Sequence, residues 1–185
     1  IDIGANVGFY TLFFRNLVGE KGKIISFEPE PNNFSILKKN VERNGLKNVE
    51  IFQYALGSKD ENLRMKLADS AGQHKIDADG ELQVQCKRLD DIVKKADFIK
   101  MDAEGYEIEI LKGMENILKQ NIFLFLEFYY KLIKQNNEPE ELLDILIDNG
   151  FTIEDIAFIS GLYIFISLVL LILIRKKLEP IKLKK

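Results

Sequence analysis

Carboxylates and glycines gather at the ends of this chain's apolar segments. The first eight residues, IDIGANVG, set Asp2, Gly4, Asn6 and Gly8 at alternate positions directly before an apolar run. Glycines at that spacing let a strand turn sharply into a helix, and let a ligand reach backbone N–H groups without meeting a Cβ. Glu28 follows about twenty residues after Gly8, where a carboxylate at a strand end accepts both hydroxyls of a ribose. A second acidic stretch, KMDAEGYE, holds Asp102 and Glu104, and a third, FLEFYY, holds Glu127. Such carboxylates suit an acceptor that must lose a proton, since a base has to stand within hydrogen-bond reach of it.

The elements that position these residues read as an alternation of strands and helices, which predicts an α/β fold with a doubly wound, mostly parallel sheet. Ile1–Ile3 is the tail of a first strand, and Phe9–Leu17 the helix after it. KGKIISFEPEP gives a second strand that ends at Glu28, stopped by Pro29 and Pro31. NNFSILKKNVERNG is a helix with an Asn cap and an apolar face at Phe34, Leu37 and Val41, closed by Gly45. NVEIFQYALG reads as one continuous third strand. LRMKLA and LQVQCKRL read as short antiparallel strands around a polar loop. DFIKMDAEG is a fourth strand running into one helix with Ile108, Leu111 and Leu118 on a face. NIFLFLEFYY is a fifth strand, EPEELLDILIDNG a helix, and FTIEDI a sixth strand. Ligands of such sheets sit beyond the carboxyl ends of the strands. That is the rim on which Asp2, Glu28, Asp102, Glu104 and Glu127 fall.

The choice of nucleotide turns on charge. A dinucleotide fingerprint, G-x-G-x-x-G, seats a pyrophosphate. This loop instead reads D-x-G-x-N-x-G, with no central glycine and an acid in front. S-adenosylmethionine, with an ammonium, a sulfonium and a ribose, suits that arrangement better than NAD does. The segments DIGANVGFYTLFF, SFEPEPNNFSILKKNVERNG, YALGS, RLDDIV and IKMDAEGYEIEILKGM together resemble the FkbM family of S-adenosylmethionine-dependent methyltransferases. The resemblance covers roughly residues 1–130. It implies a Rossmann-like class I methyltransferase fold and O-methylation of a hydroxyl on a glycan or small metabolite. It also implies that Asp2, Gly4, Asn6 and Gly8 line the methionine side of the cofactor, that Glu28 holds the ribose, and that Tyr54 and Ala55 border the adenine.

Methyl transfer from a sulfonium is an in-line displacement, so holding acceptor and methyl close together supplies most of the catalysis. Asp102 is the expected cofactor-side residue or base, and Glu104 the expected acceptor contact; Lys100, two residues before Asp102, is placed to pair with it. Other readings are a helix-capping role for Glu104, an oxygen-ligand cation site at Asp102, Glu104 and Glu127, and a catalytic role for His74, the chain's one histidine. No metal is assigned. Two other function classes compete with the methyltransferase: an NAD-dependent oxidoreductase, and a non-catalytic, membrane-anchored module that binds nucleotide without turning it over. The single Cys86 excludes an internal disulfide framework and a cysteine zinc site.

The chain has a net charge of −3, but its last eleven residues, RKKLEPIKLKK, hold six Lys/Arg against one Glu and leave −8 on the other 174. So acidic a body repels phosphate backbones, and no nucleic acid is expected as partner. The absence of an initiator Met leads us to expect further residues before Ile1, so that the domain is N-terminally truncated. The predicted organisation is a methyltransferase domain over 1–155, an apolar segment over 156–174 and a basic tail over 175–185. The 156–174 segment, IAFISGLYIFISLVLLILI, has 19 uncharged residues. As a helix it spans about 28 Å, close to a bilayer core, which predicts a transmembrane helix with the catalytic domain on the cytoplasmic side. Its basic flank favours the opposite orientation. The rival reading is a sixth strand joined through the turn Ser160–Gly161 to a seventh over LYIFIS, in a soluble cytoplasmic protein. Oligomeric state is left open by the sequence.

Overall fold

The computed structural model describes residues 1–70, 72–129, 139–158 and 169–176. The chain begins β1 (Asp2–Ile3), α1 (Phe9–Val18), β2 (Ile24–Phe27), α2 (Pro31–Arg43) and β3 (Val49–Phe52). Four short strands follow: β4 (Ala55–Leu56), β5 (Glu61–Lys66), β6 (Lys75–Ile76) and β7 (Leu82–Lys87). The second half contributes α3 (Leu89–Ile92), β8 (Phe98–Met101), α4 (Glu107–Lys112), α5 (Glu115–Leu118) and β9 (Phe123–Tyr129). It ends in α6 (Pro139–Asp148), β10 (Phe151–Phe158) and β11 (Val169–Lys176).

The main sheet has seven strands in the order β10-β11-β9-β8-β1-β2-β3. β1 pairs in parallel with β2 on one side and β8 on the other, so Asp2 lies level with Ser26 and Lys100. The chain therefore reverses its direction of winding at β1, and ligands of open α/β sheets bind at that switch. The core packs Ile99 and Met101 of β8 and Leu124 and Leu126 of β9 against Leu111, Met114 and Ile117, all fully buried.

Several expectations change in the structure. The third strand is not continuous: β3 ends at Phe52, and Ala55–Leu56 leave the main sheet to pair with Cys86–Lys87. β4, β7, β5 and β6 form a separate four-stranded sheet, with Ala55, Met65, Val84 and Cys86 as its own buried cluster. The first Asn of the second helix does not cap it. Glu30 does, its side chain accepting the Asn33 N–H at 2.7 Å, with Pro31 as the first helical residue, where a missing N–H costs nothing. The helix expected after the fourth strand is two short ones, broken at Gly113. A Cβ there would lie 1.9 Å from the Gly57 carbonyl oxygen, so the chain must pass that point without a side chain.

The transmembrane helix is replaced by strands. Residues 156–158 belong to β10 and 169–174 to β11, while 159–168, including the expected turn and all of LYIFIS, lie outside the described residues. β11 runs antiparallel to both β9 and β10, Ile172 opposite Leu126 on one side and Ile156 on the other. The seventh strand is thus the run VLLILIRK, further along the chain than expected. An uninterrupted apolar run fits the pattern of a buried strand and of a membrane span alike, so periodicity does not tell them apart. Among the described residues no helix is long and apolar enough to cross a membrane.

Candidate active site

The loop after β1 is shaped by residues with positive φ. Gly4 (71°), Asn6 (50°) and Gly8 (94°) fold the chain back within five residues, and Gly8 caps α1. At Gly4 a Cβ would lie 1.9 Å from the Asp102 carbonyl oxygen, so glycine alone lets β1 and β8 end side by side. Glu28, 6% exposed at the end of β2, ties this loop down. One carboxylate oxygen accepts the Asn6 N–H at 2.8 Å, and the other accepts the Glu30 N–H at 2.9 Å. Burial pushes the Glu28 carboxyl up to about 7, against the pull of those two N–H donors.

A cleft opens at the carboxyl ends of β1, β2 and β8. Gly4, Asn6 and Glu28 line one part of it, Tyr54 and Ala55 another, and Asp102 and Glu104 a third. It encloses about 720 Å³ of empty space, the solvent at its mouth included. The small sheet closes its far side with Met65 and Ile76, and the loop before β6 brings Gly72 and His74 to the wall. His74 Nδ1 accepts the Ala68 N–H at 3.0 Å, so the neutral ring carries its proton on Nε2. Glu127 lies close enough to Asp102 and Glu104 to raise both carboxyls. Among the described residues no group of three side chains is arranged to hold a metal ion.

Asp2 and Gly8, both expected on the methionine side of the cofactor, do not line this cleft. Asp2 is fully buried beneath it: Thr11 Oγ1 donates to its Oδ2 at 2.6 Å, and Lys100 Nζ stands 3.8 Å from its Oδ1. Gly8 packs on α2, where a Cβ would meet Leu37 Cδ1 at 2.6 Å. Both support the loop from behind.

Lys100 is the residue that sequence reasoning undervalued. It is 1% exposed, and its ammonium donates to the Gly4 carbonyl oxygen at 3.1 Å and to Asp102 Oδ2 at 3.5 Å. It also sits 5.1 Å from the centre of the Tyr10 ring. One cation therefore serves two aspartates on neighbouring strands. Two-residue spacing from Asp102 was the signal for one of these pairs; the other depends on the register of β1 with β8.

Asp102 Oδ1 is buried with no hydrogen-bond partner among the described residues. Burial raises this carboxyl to about 6, with Lys100 opposing and Glu127 adding to the shift. Glu104 has a φ of 51°, unusual for a residue with a side chain. Burial pushes its carboxyl up to about 8, reinforced by Asp102, Glu107 and Glu127. The cleft thus offers carboxylates that give up their protons reluctantly until something positive arrives.

Residues 2–153 match the family model of the methyltransferase FkbM domain. The chain is 27% identical over 167 residues to the hexuronic acid methyltransferase AglP of Haloferax volcanii, covering 82% of this chain and 68% of that one. It is 23% identical over 172 residues to the 2-O-methyltransferase NoeI of Sinorhizobium fredii, covering 79% and 70%. The crystal structure of methyltransferase FkbM from Methylobacillus flagellatus superposes with a TM-score of 0.56 at 20% identity. That match takes in 80% of this chain but 36% of the other, so this chain spans about a third of that longer protein.

Proposed function

We propose that this chain, which belongs to the methyltransferase FkbM domain family, moves the methyl group of S-adenosylmethionine to a hydroxyl of a glycan or small metabolite. One observation carries this reading. The cleft joins a glycine-built loop and Glu28 on one side to Asp102 and Glu104 on the other. Its lining fits the cofactor: Gly4 brings backbone to the cleft wall, Glu28 keeps lone pairs beyond its two backbone donors, and among the described residues Asp102 Oδ1 lacks a partner. The names of AglP and NoeI, a hexuronic acid methyltransferase and a 2-O-methyltransferase, favour a sugar hydroxyl as the acceptor class.

When bound, the cofactor supplies a methyl group activated by a sulfonium. In this reading Glu28 accepts the ribose hydroxyls, and Tyr54 and Ala55 form the wall beside the base. Asn6 and Gly4 shape the methionine side, with Asp2 and Gly8 holding that loop from beneath. Asp102 is the cofactor-side carboxylate, held by Lys100. Glu104 would take the proton of the acceptor hydroxyl, and the cofactor would supply the methyl group to that oxygen, its methyl–sulfur bond breaking to leave S-adenosylhomocysteine. A base with a pKa near the working pH is effective in that role, and Glu104 has the higher proton affinity of the pair. A span over 156–174 is not part of the proposal, because residues 156–158 and 169–174 belong to β10 and β11.

Calorimetric titration of the full chain with S-adenosylmethionine, S-adenosylhomocysteine and NAD tests the cofactor assignment. Binding of both adenosyl ligands and not NAD, weakened by Glu28→Ala, is the expected result. A folded sample that binds NAD alone, or nothing, overturns the reading. Transfer of a labelled methyl group to a panel of neutral and acidic sugars then identifies the acceptor.

A further inference from the structure

Glu107, the first residue of α4, is fully buried although it is a carboxylic acid. Its Oε1 accepts the N–H groups of both Ala103 and Gly105, each at 3.1 Å. These two donors flank Glu104, whose own backbone is left-handed, and Gly105 follows at a φ of 97°. Its Oε2 is buried with no partner among the described residues. A buried polar atom left unsatisfied is costly, and a capping role on so short a helix does not need an acid sealed from water. What the carboxylate does achieve is local: it gathers the two amides on either side of one cleft residue.

We propose that Glu107 is a positioning residue for methyl transfer, holding the 103–105 loop so that the Glu104 carboxyl faces the cleft. The inference rests on the reading of Glu104 as the group that meets the acceptor. With the two N–H bonds in place, Glu104 cannot relax to a right-handed conformation without breaking one of them, and its side chain stays among the cleft residues. Without them the loop relaxes and Glu104 swings to solvent. The raised proton affinity of Glu104 reports its position directly, because it arises from burial first and from its neighbours second. The charged groups around it are Lys100 and Asp102 from β8 and its flank, Glu107 from α4 and Glu127 from β9.

The test needs no acceptor and is independent of whether the chain methylates anything. Carbon-13-labelled glutamate carboxyls are followed by NMR from pH 4 to 10, with the Glu104 signal assigned through Glu104→Gln. In the native protein Glu104 is expected to titrate well above the ordinary glutamate range. Glu107→Gln keeps an acceptor oxygen for both amides and is expected to leave Glu104 titrating high, its midpoint lowered somewhat by the lost charge. Glu107→Ala removes the acceptor and is expected to bring Glu104 down by a further unit or more, with amide exchange at Ala103 and Gly105 at least tenfold faster. Equal Glu104 midpoints and equal exchange in the Gln and Ala variants overturn the proposal. If Glu107→Ala does not fold, Glu107→Asp withdraws the acceptor by one methylene and is read by the same exchange rates. A Glu104 titrating at the ordinary value in the native protein overturns it without any variant. Failure of S-adenosylmethionine to bind, by contrast, counts against the function and leaves these titrations unchanged.

Discussion

Lowering the pH from 8 to 6 is expected to weaken binding of S-adenosylmethionine far more than binding of S-adenosylhomocysteine. The two ligands share the ribose and differ by the positive charge on sulfur. Glu28 has its carboxyl raised to about 7. Its ionised share therefore falls from about ten-elevenths at pH 8 to about one-eleventh at pH 6. If the ribose hydroxyls need the carboxylate, both ligands lose about tenfold, or ~1.4 kcal/mol. Glu104 has its carboxyl raised to about 8. Its ionised share falls from about a half to about one in a hundred, a further factor of roughly fifty for a ligand that needs its charge. Asp102, raised to about 6, adds no more than about a factor of two over the same interval.

The sign follows from the direction of the shifts. Carboxyls with raised pKa values are protonated in the free site at pH 6, and a bound cation favours the ionised form. Binding therefore releases protons, and affinity climbs with pH until it passes the free-site values. The upper limit is roughly a thousandfold change for S-adenosylmethionine against about tenfold for S-adenosylhomocysteine, since protonated groups keep part of their contacts. Calorimetry at each pH, in two buffers of different ionisation enthalpy, measures both the affinity and the protons released. Glu28→Gln is expected to remove the change common to both ligands, and Glu104→Gln the difference between them. Equal pH slopes for the two ligands show that Glu104, on the acceptor side of the methyl group, does not sense the sulfonium charge. A flat profile for both refutes the electrostatic reading of the whole cleft.

Two further outcomes bear on the architecture beneath the site. Gly4→Ala places a Cβ 1.9 Å from the Asp102 carbonyl oxygen at a φ of 71°, and is expected to cost about 3 kcal/mol and lower the Tm by roughly 6–12 °C. Gly45→Ala, at a φ of 60° with nothing within 4 Å, is expected to lose only about 1–2 kcal/mol; equal Tm losses in the two variants show that the contact with Asp102 is not the cause. Lys100→Met leaves Asp2 and Asp102 without their shared cation and is expected to destabilise the fold by about 3–5 kcal/mol at pH 8. Urea unfolding should show part of that loss recovered at pH 5, where the stranded Asp102 carboxyl, already raised by burial, takes up a proton; equal stability of variant and native protein at pH 8 refutes a structural role for the ion pair.

Legibility in the sequence followed the range of the interactions. The strand–helix alternation, the glycine turn and the carboxylates at strand ends are local patterns, and Gly4, Asn6, Glu28, Tyr54, Ala55, Asp102 and Glu104 do come together on one cleft. Features decided by distant partners were read wrongly. NVEIFQYALG has the composition of one strand, yet its end is claimed by Cys86–Lys87, some thirty residues on. The break at Gly113 is imposed by the Gly57 carbonyl, which no pattern around Gly113 reveals. The apolar run before Arg175 records only that its residues avoid water. Whether the run crosses lipid as a helix or joins a sheet depends on β9 and β10, the strands it pairs with.

The same distinction governs the chemistry. The sequence shows an acidic rim, but acids in a row do not say which are already neutralised. The register of β1 with β8 sets Lys100 between Asp2 and Asp102, so the inner pair has its counter-ion from the protein. Glu28 and Glu104, farther out, have none as close, and both hold their protons more tightly than an ordinary glutamate. Had the inner cation been absent, the fold itself would have had to bear several buried charges. Had a second cation reached the rim, a positively charged ligand would gain little there. The division of labour is thus fixed by strand pairing: Lys100 stabilises the protein's own core acids, and the remaining negative charge is left for the ligand to answer.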